Sequence, residues 1–159
     1  MNNDALRTLV AQGLTAMRAG SHVAAQATGE ICNDARHPEL KAALETGEKV
    51  FQGWAQRIEQ ALQEVGGEAG EARNPVLEGL YEVSRQIRQQ APDDASRDLG
   101  IIASGQLALH YWIAGFGTMR TYASQLGMDE TARNMEASLN EAKQADDQLT
   151  EIAKRIMSA

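Results

Sequence analysis

One stretch limits the possible folds of this chain more than any other. Ile102, Leu109, Phe116 and Ala123 recur every seven residues, and Gly105, Trp112, Met119 and Leu126 follow each of them by three. Every a and d position of the run is apolar or glycine, which is the pattern of a helix whose stripe faces other helices. A strand would need alternation with period two, and such alternation is nearly absent. The pattern predicts an all-α chain with this helix at its centre. The other segments supply matching stripes at helical spacing. The first offers Leu6, Val10, Leu14, Met17, Ala24 and Ile31; the second, Leu40, Leu44, Gly47, Phe51, Trp54, Ile58, Leu62 and Val65. The third offers Val76, Leu80, Val83 and Ile87, and the fifth Met135, Leu139, Ala142, Leu149, Ile152 and Ile156.

Start and stop signals divide the chain accordingly. Asn3 or Asp4 can cap a first helix running to about Asn33, which Gly13, Gly20 and Gly29 weaken locally. Pro38 suits the first turn of a second helix that runs to Val65 and stops at Gly66 and Gly67. "GGEAGEARNP" reads as a loop, after which Asn74 and Pro75 start a shorter helix to about Gln90. A break at "APDD" precedes the fourth helix, which runs to about Gln125 and ends at Gly127; Asp129 caps the fifth. The 159 residues suit one domain, 1–159, with a single core.

Charge narrows the partners. The net charge of −7, with no Lys/Arg cluster to offset it, repels phosphate backbones and anionic membranes, so neither nucleic acid nor a membrane is expected. The start, "MNNDALRTLV", lacks a basic region followed by an apolar one, and no run approaches eighteen uninterrupted apolar residues, which gives a cytoplasmic reading. Cys32 is the single cysteine, so an intrachain disulfide and a cysteine-based zinc site are both excluded, and it reads as a small buried thiol. No Ser/His/Asp constellation, phosphate-binding glycine loop or glycosidase-type carboxylate pair is visible.

"HYWIAGFGTMRTYASQLG", "HPELKAAL", "LEGLYEV" and "LNEAKQADDQLTEIA" together resemble the YciE/YciF family of ferritin-like bacterial proteins, in order and spacing, from about Met17 to Ala153. The resemblance implies a ferritin-like four-helix bundle with an additional fifth helix, often dimeric, associated with stress responses. It also implies a carboxylate and histidine di-metal centre, because two metal ions need several anionic oxygens and imidazoles converging from facing helices.

This chain departs from that pattern where the resemblance places the ligands. The family's fourth helix carries Glu, His, Tyr, Glu in succession; here the residues are Leu109, His110, Tyr111 and Trp112. The second-helix His falls at Gly47, and the acidic position one turn later at Val50. Val83 replaces a third-helix Glu, Ala142 the inward Glu of the fifth helix, and Ser21 the first-helix Glu. Buried carboxylates without a metal would repel one another and lose hydration, whereas Leu, Val, Ala and Trp turn the same positions into core.

Three readings follow. The first is a metal-deficient, non-catalytic ferritin-like homodimer with a structural or interaction role in stress and no cofactor. In the second, the vacated positions, with Trp54 beside them, line a pocket for a small apolar ligand, since Gly47, Ser21 and Ala142 remove bulk while Trp112 adds it. The third is a di-metal oxidoreductase that holds iron or manganese at a displaced site built from His22, Glu48, Glu82, His110 and Glu141. A one-residue offset turns a side chain off the core face, which counts against that third set. His110 reads as a boundary residue bonded to a neighbouring helix.

Overall fold

The computed structural model describes residues 2–67 and 72–158. Among them are five helices and no strand: α1 (Asn3–Asp34), α2 (Pro38–Val65), α3 (Pro75–Gln90), α4 (Asp94–Gln125) and α5 (Asp129–Ser158). Residues 68–71 of the expected loop lie outside the described residues.

The termini follow local chemistry. Asn2, rather than Asn3 or Asp4, caps α1, its side chain accepting from the Asp4 amide at 3.0 Å. Asn74 accepts from Leu77 N at 3.0 Å to cap α3, and Asp93 from Ser96 N at 2.7 Å to cap α4. Pro38 and Pro75 occupy first turns, where the missing N–H is no loss. Gly66 and Gly127 leave α2 and α4 at φ of 72° and 70°, a left-handed conformation that glycine adopts without a Cβ clash.

Four long helices close a ring in the order α1, α2, α5, α4, with neighbours antiparallel. Arg57 meets Glu141 and Glu64 meets Thr131 between α2 and α5. Gln106 meets Thr150 and Arg120 meets Glu136 between α4 and α5. The half-length α3 lies along the α1/α4 edge, parallel to α1. Its Arg88 pairs with Asp34, and its start comes so close that a Cβ on Gly20 would stand 2.5 Å from Leu77 Cδ1. A Cβ at this point of α1 would force the Leu77 and Asn74 side chains to shift, and the helix runs unbroken through the glycine.

The stripes of α1, α2, α4 and α5 meet in one core, with Val10, Leu14, Leu40, Ile58, Phe116, Met135 and Ile152 wholly enclosed. On α3 the expected stripe is corrected: Val76 is 57% and Val83 42% exposed, while Leu77, Ser84 and Arg88 are buried. The two valines have core-like spacing, but a helix packed on one edge buries only the side toward its neighbours, and here that side carries a serine and an arginine. By length and composition α4 also meets the requirements of a membrane span, with a mean hydropathy of 1.2 over its most apolar stretch. The core helix of a bundle that stands in water can meet the same requirements, and a third of that stretch is buried inside the bundle.

His37, the N-cap of α2, offers no capping bond of its own. The cap comes from α4 instead: the buried Asp98 carboxylate accepts from Arg36 N at 2.9 Å and His37 N at 2.7 Å. A negative group at a helix N-terminus is favourable, and here it also ties the α1/α2 turn to the central helix. Asp98→Ala strands two amides, so a loss of about 2–4 kcal/mol is expected in urea unfolding.

Candidate functional site

The middle of the bundle is built from rings. α2 contributes Trp54, and α4 contributes Trp112 and Phe116 one turn apart, all three buried because each lies on its helix's stripe. Trp112 stacks on Phe116 at 5.5 Å between centroids and 23° between planes. Trp54 meets Phe116 edge-on at 5.0 Å and Trp112 at 5.8 Å, and Phe51 closes against Trp54 at 4.8 Å. Such offset and edge-to-face contacts are the arrangements aromatic rings prefer.

The two indoles differ at their polar edge. Trp54 Nε1 donates to Glu141 Oε2 at 2.7 Å, and Arg57 grips the same carboxylate with two bonds of 2.7 and 3.0 Å while its Nη1 also donates to Ser138 Oγ. The Arg57 hydrogen bond, aided by that of Trp54, holds the Glu141 carboxyl below its usual range against the opposing effect of partial burial. The N–H of Trp112 has no partner, and neither has the hydroxyl of Ser84.

Beside the rings lies a largely apolar cleft of about 300 Å³ that draws on all five helices. Of the positions that the sequence singles out, Gly47, Val50, Trp54, Leu109 and Trp112 line it together. Ala142 is wholly buried but outside the lining. Ser21 is half-buried and donates to its own helix at Met17 O. Val83 faces solvent, a correction to its reading as an inward position; Ser84, the next residue, lines the cleft instead.

The displaced metal set does not converge. His22 and Glu48 are exposed, and Glu82 is bound by Arg85 and Gln86. His110 is 66% exposed and faces Asp146 of α5 at 3.3 Å, while Glu141 is taken up by Arg57 and Trp54. Among the described residues no three His, Cys, Asp or Glu side chains come together as a metal site. A hard di-metal centre needs several convergent oxygens and imidazoles, so the residues present do not fit iron or manganese as a bound pair. Cys32 is half-buried rather than enclosed as expected, and that partial burial raises its thiol pKa, with Glu45 adding to the rise, which opposes thiolate formation.

Sequence reasoning missed the Arg57–Glu141–Trp54 tie and the inward Ser84. The tie had one available signal, since a buried Trp N–H needs an acceptor; nothing in the α3 pattern singles out Ser84.

This geometry, a ring of four long helices with a fifth on its edge, defines the class: it is a ferritin-like helical bundle whose interior positions are apolar and aromatic. The chain belongs to the family described as a domain of unknown function, DUF892, which matches residues 6–159. It is 28% identical over 129 residues to Protein YciF of Escherichia coli strain K12, covering 80% of this chain and 78% of that one. In structure it matches the E. coli stress protein YciF with a TM-score of 0.92 at 24% identity, over 96% of this chain and 97% of the other. YcfI of Rhodopseudomonas palustris, proposed to be structural, matches at 0.86 and 25% identity over 91% and 92%. A ferritin-like, diiron-carboxylate protein of Bacillus anthracis shares the fold at 0.68 and 17% identity, over 96% and 99%. The resemblance to the YciE/YciF family read from the sequence is confirmed.

Because the folded Glu141 pKa lies below its unfolded value, the carboxylate stabilises the fold fully above that unfolded value and loses the effect as pH falls through the folded one. Glu141→Gln is therefore expected to lower the melting temperature at about pH 7 and to flatten the fall in melting temperature toward about pH 3. Thermal unfolding across that range reads both effects.

Proposed function

We propose that this protein is a non-catalytic, metal-free member of its family, a structural or interaction protein of the bacterial stress response that acts in the cytoplasm as a homodimer. The observation that carries the reading is the aromatic cluster itself. Trp54, Trp112 and Phe116 fill the middle of the bundle, and Glu141, the one carboxylate among the described residues that lines the cleft beside them, is held by Arg57 and Trp54. A core of this kind is held by ring packing and needs no ion. The descriptions of YciF as a stress protein and of YcfI as a proposed structural protein support the role.

After loading with Fe(II) or Mn(II) and desalting, plasma mass spectrometry is expected to find far less than one metal per chain. Near-stoichiometric metal that disappears in His110→Ala overturns the proposal.

The solvent face of α4 supports the dimer. Ala103, Leu107 at 55% exposure and Ala114 form a face along which His110 and Tyr111 are the only titratable residues between Leu99 and Met119. A two-fold axis sets a patch against its own copy, so on a chain of net charge −7 a neutral stripe is where two copies meet without repulsion. Sedimentation equilibrium should give twice 17.2 kDa, and Leu107→Glu should give the monomer mass. A wild-type protein found only at 17.2 kDa refutes the dimer.

The cleft favours a second reading, in which the vacated centre holds a small apolar molecule. Its 300 Å³ is about twice the engineered cavity volume known to take benzene.

A further inference from the structure

We infer that the cleft takes a neutral aromatic molecule of about two fused rings that carries one hydrogen-bond acceptor, and that the indole N–H of Trp112 is the group that receives it. The inference rests on the reading of the cleft as a small-ligand site and adds the chemistry of the ligand.

The polar inventory of the lining leaves little choice. Among the described residues, Tyr81 and Glu141 are its only ionisable side chains. The Tyr81 hydroxyl donates to Glu30, and Glu141 is neutralised by Arg57. Thr28, Thr46 and Ser104 spend their hydroxyls on carbonyls of their own helices. Gln144 and Gln148 are exposed at the edge and stay hydrated. An ion entering the cleft would lose water and find no opposite charge free to meet it, so the ligand is neutral.

Two residues of the lining carry a polar atom that is buried without a partner among the described residues, Trp112 Nε1 and Ser84 Oγ; the residues are only 1% and 3% exposed, so the Trp112 ring turns its polar edge toward the space when it receives a ligand. An indole N–H donates and never accepts, so it selects for an acceptor on the ligand, whereas a hydroxyl serves either way. A buried donor left unmade is costly, and a ligand oxygen or nitrogen that meets it gains the difference. The walls add a preference for flat rings: Phe51, Trp54, Tyr81 and Trp112 all line the space. The volume sets the size at about two rings.

Naphthalene and quinoline test this directly, since they share a shape and differ by one ring nitrogen that accepts a hydrogen bond. The chain has two tryptophans and hence two indole N–H signals in a ¹⁵N–¹H spectrum, assigned by the loss of one in Trp112→Phe. Quinoline is expected to move the Trp112 signal downfield and naphthalene to leave its hydrogen-bonding state unchanged, while the Trp54 signal, already bonded to Glu141, stays near its place. In titrations Trp112→Phe should weaken quinoline by about five-fold and leave naphthalene within about two-fold.

If naphthalene binds but quinoline produces no downfield shift and no loss in Trp112→Phe, the acceptor inference fails and the apolar cleft stands. If neither binds, both fall. Should Trp112→Phe not fold, through-space contact with the neighbouring Tyr111 ring assigns the Trp112 signal and the wild-type shift decides alone. Gly47→Leu gives an independent check, because a Cβ there meets only Phe51, at 3.9 Å, and the longer side chain grows into the cleft. It should abolish binding of both probes without loss of helical content; undiminished binding puts the ligand elsewhere and overturns the inference.

Discussion

The packing of the Trp112 indole against Phe116 and Trp54 is the contact on which the interior depends. Two indoles and a phenyl ring fill a bundle centre only if the helices carrying them stay at one spacing, and α2 and α4 are fixed by that requirement. Small residues share the cleft lining with the rings, Gly47 on α2 and Gly105 on α4. Bulk in the middle and small residues beside it leave the ring cluster dense while a cleft opens along one side.

Charge is handled by pairing at defined places. Glu141 sits between the core and the surface, where it meets a bidentate Arg57 and an indole N–H and joins α5 to α2. Arg88, buried on α3, is matched by Asp34 on α1. Asp98 reaches from α4 to the first amides of α2. Each tie links helices distant in sequence and satisfies a group that would be costly to bury alone. Together they fix how the five amphipathic rods are arranged, which apolar stripes, being non-directional, specify less sharply.

The likeness to a diiron-carboxylate protein at a TM-score of 0.68 and 17% identity extends to the backbone alone. A four-helix bundle is organised by its stripes and crossing geometry, so interior ligands can give way to apolar side chains without a change of fold, provided the volume is made up. Trp112 restores volume where the resemblance places a carboxylate, and Gly47 leaves space where it places a histidine. Interior chemistry and backbone architecture therefore vary separately in this fold.

The sequence by itself determined the helices, their ends and most of the core, because heptad spacing, proline at first turns and glycine at exits act within a few residues of where they stand. Gly47, Val50, Leu109 and Trp112 were grouped by the resemblance to the YciE/YciF family, with Trp54 beside them on its stripe, and they do line one cleft, whereas Ser21, Val83 and Ala142, placed in the same group, do not. Only the tertiary structure decided which side of α3 is buried, where Val83 yields to Ser84, because a short helix takes its inner face from the edge it rests on. The same holds for the cap that Asp98 gives α2, for Glu141's bond to Arg57 and Trp54, and for the lone N–H of Trp112. These depend on distances between helices far apart in the chain, and local pattern carries no record of such distances.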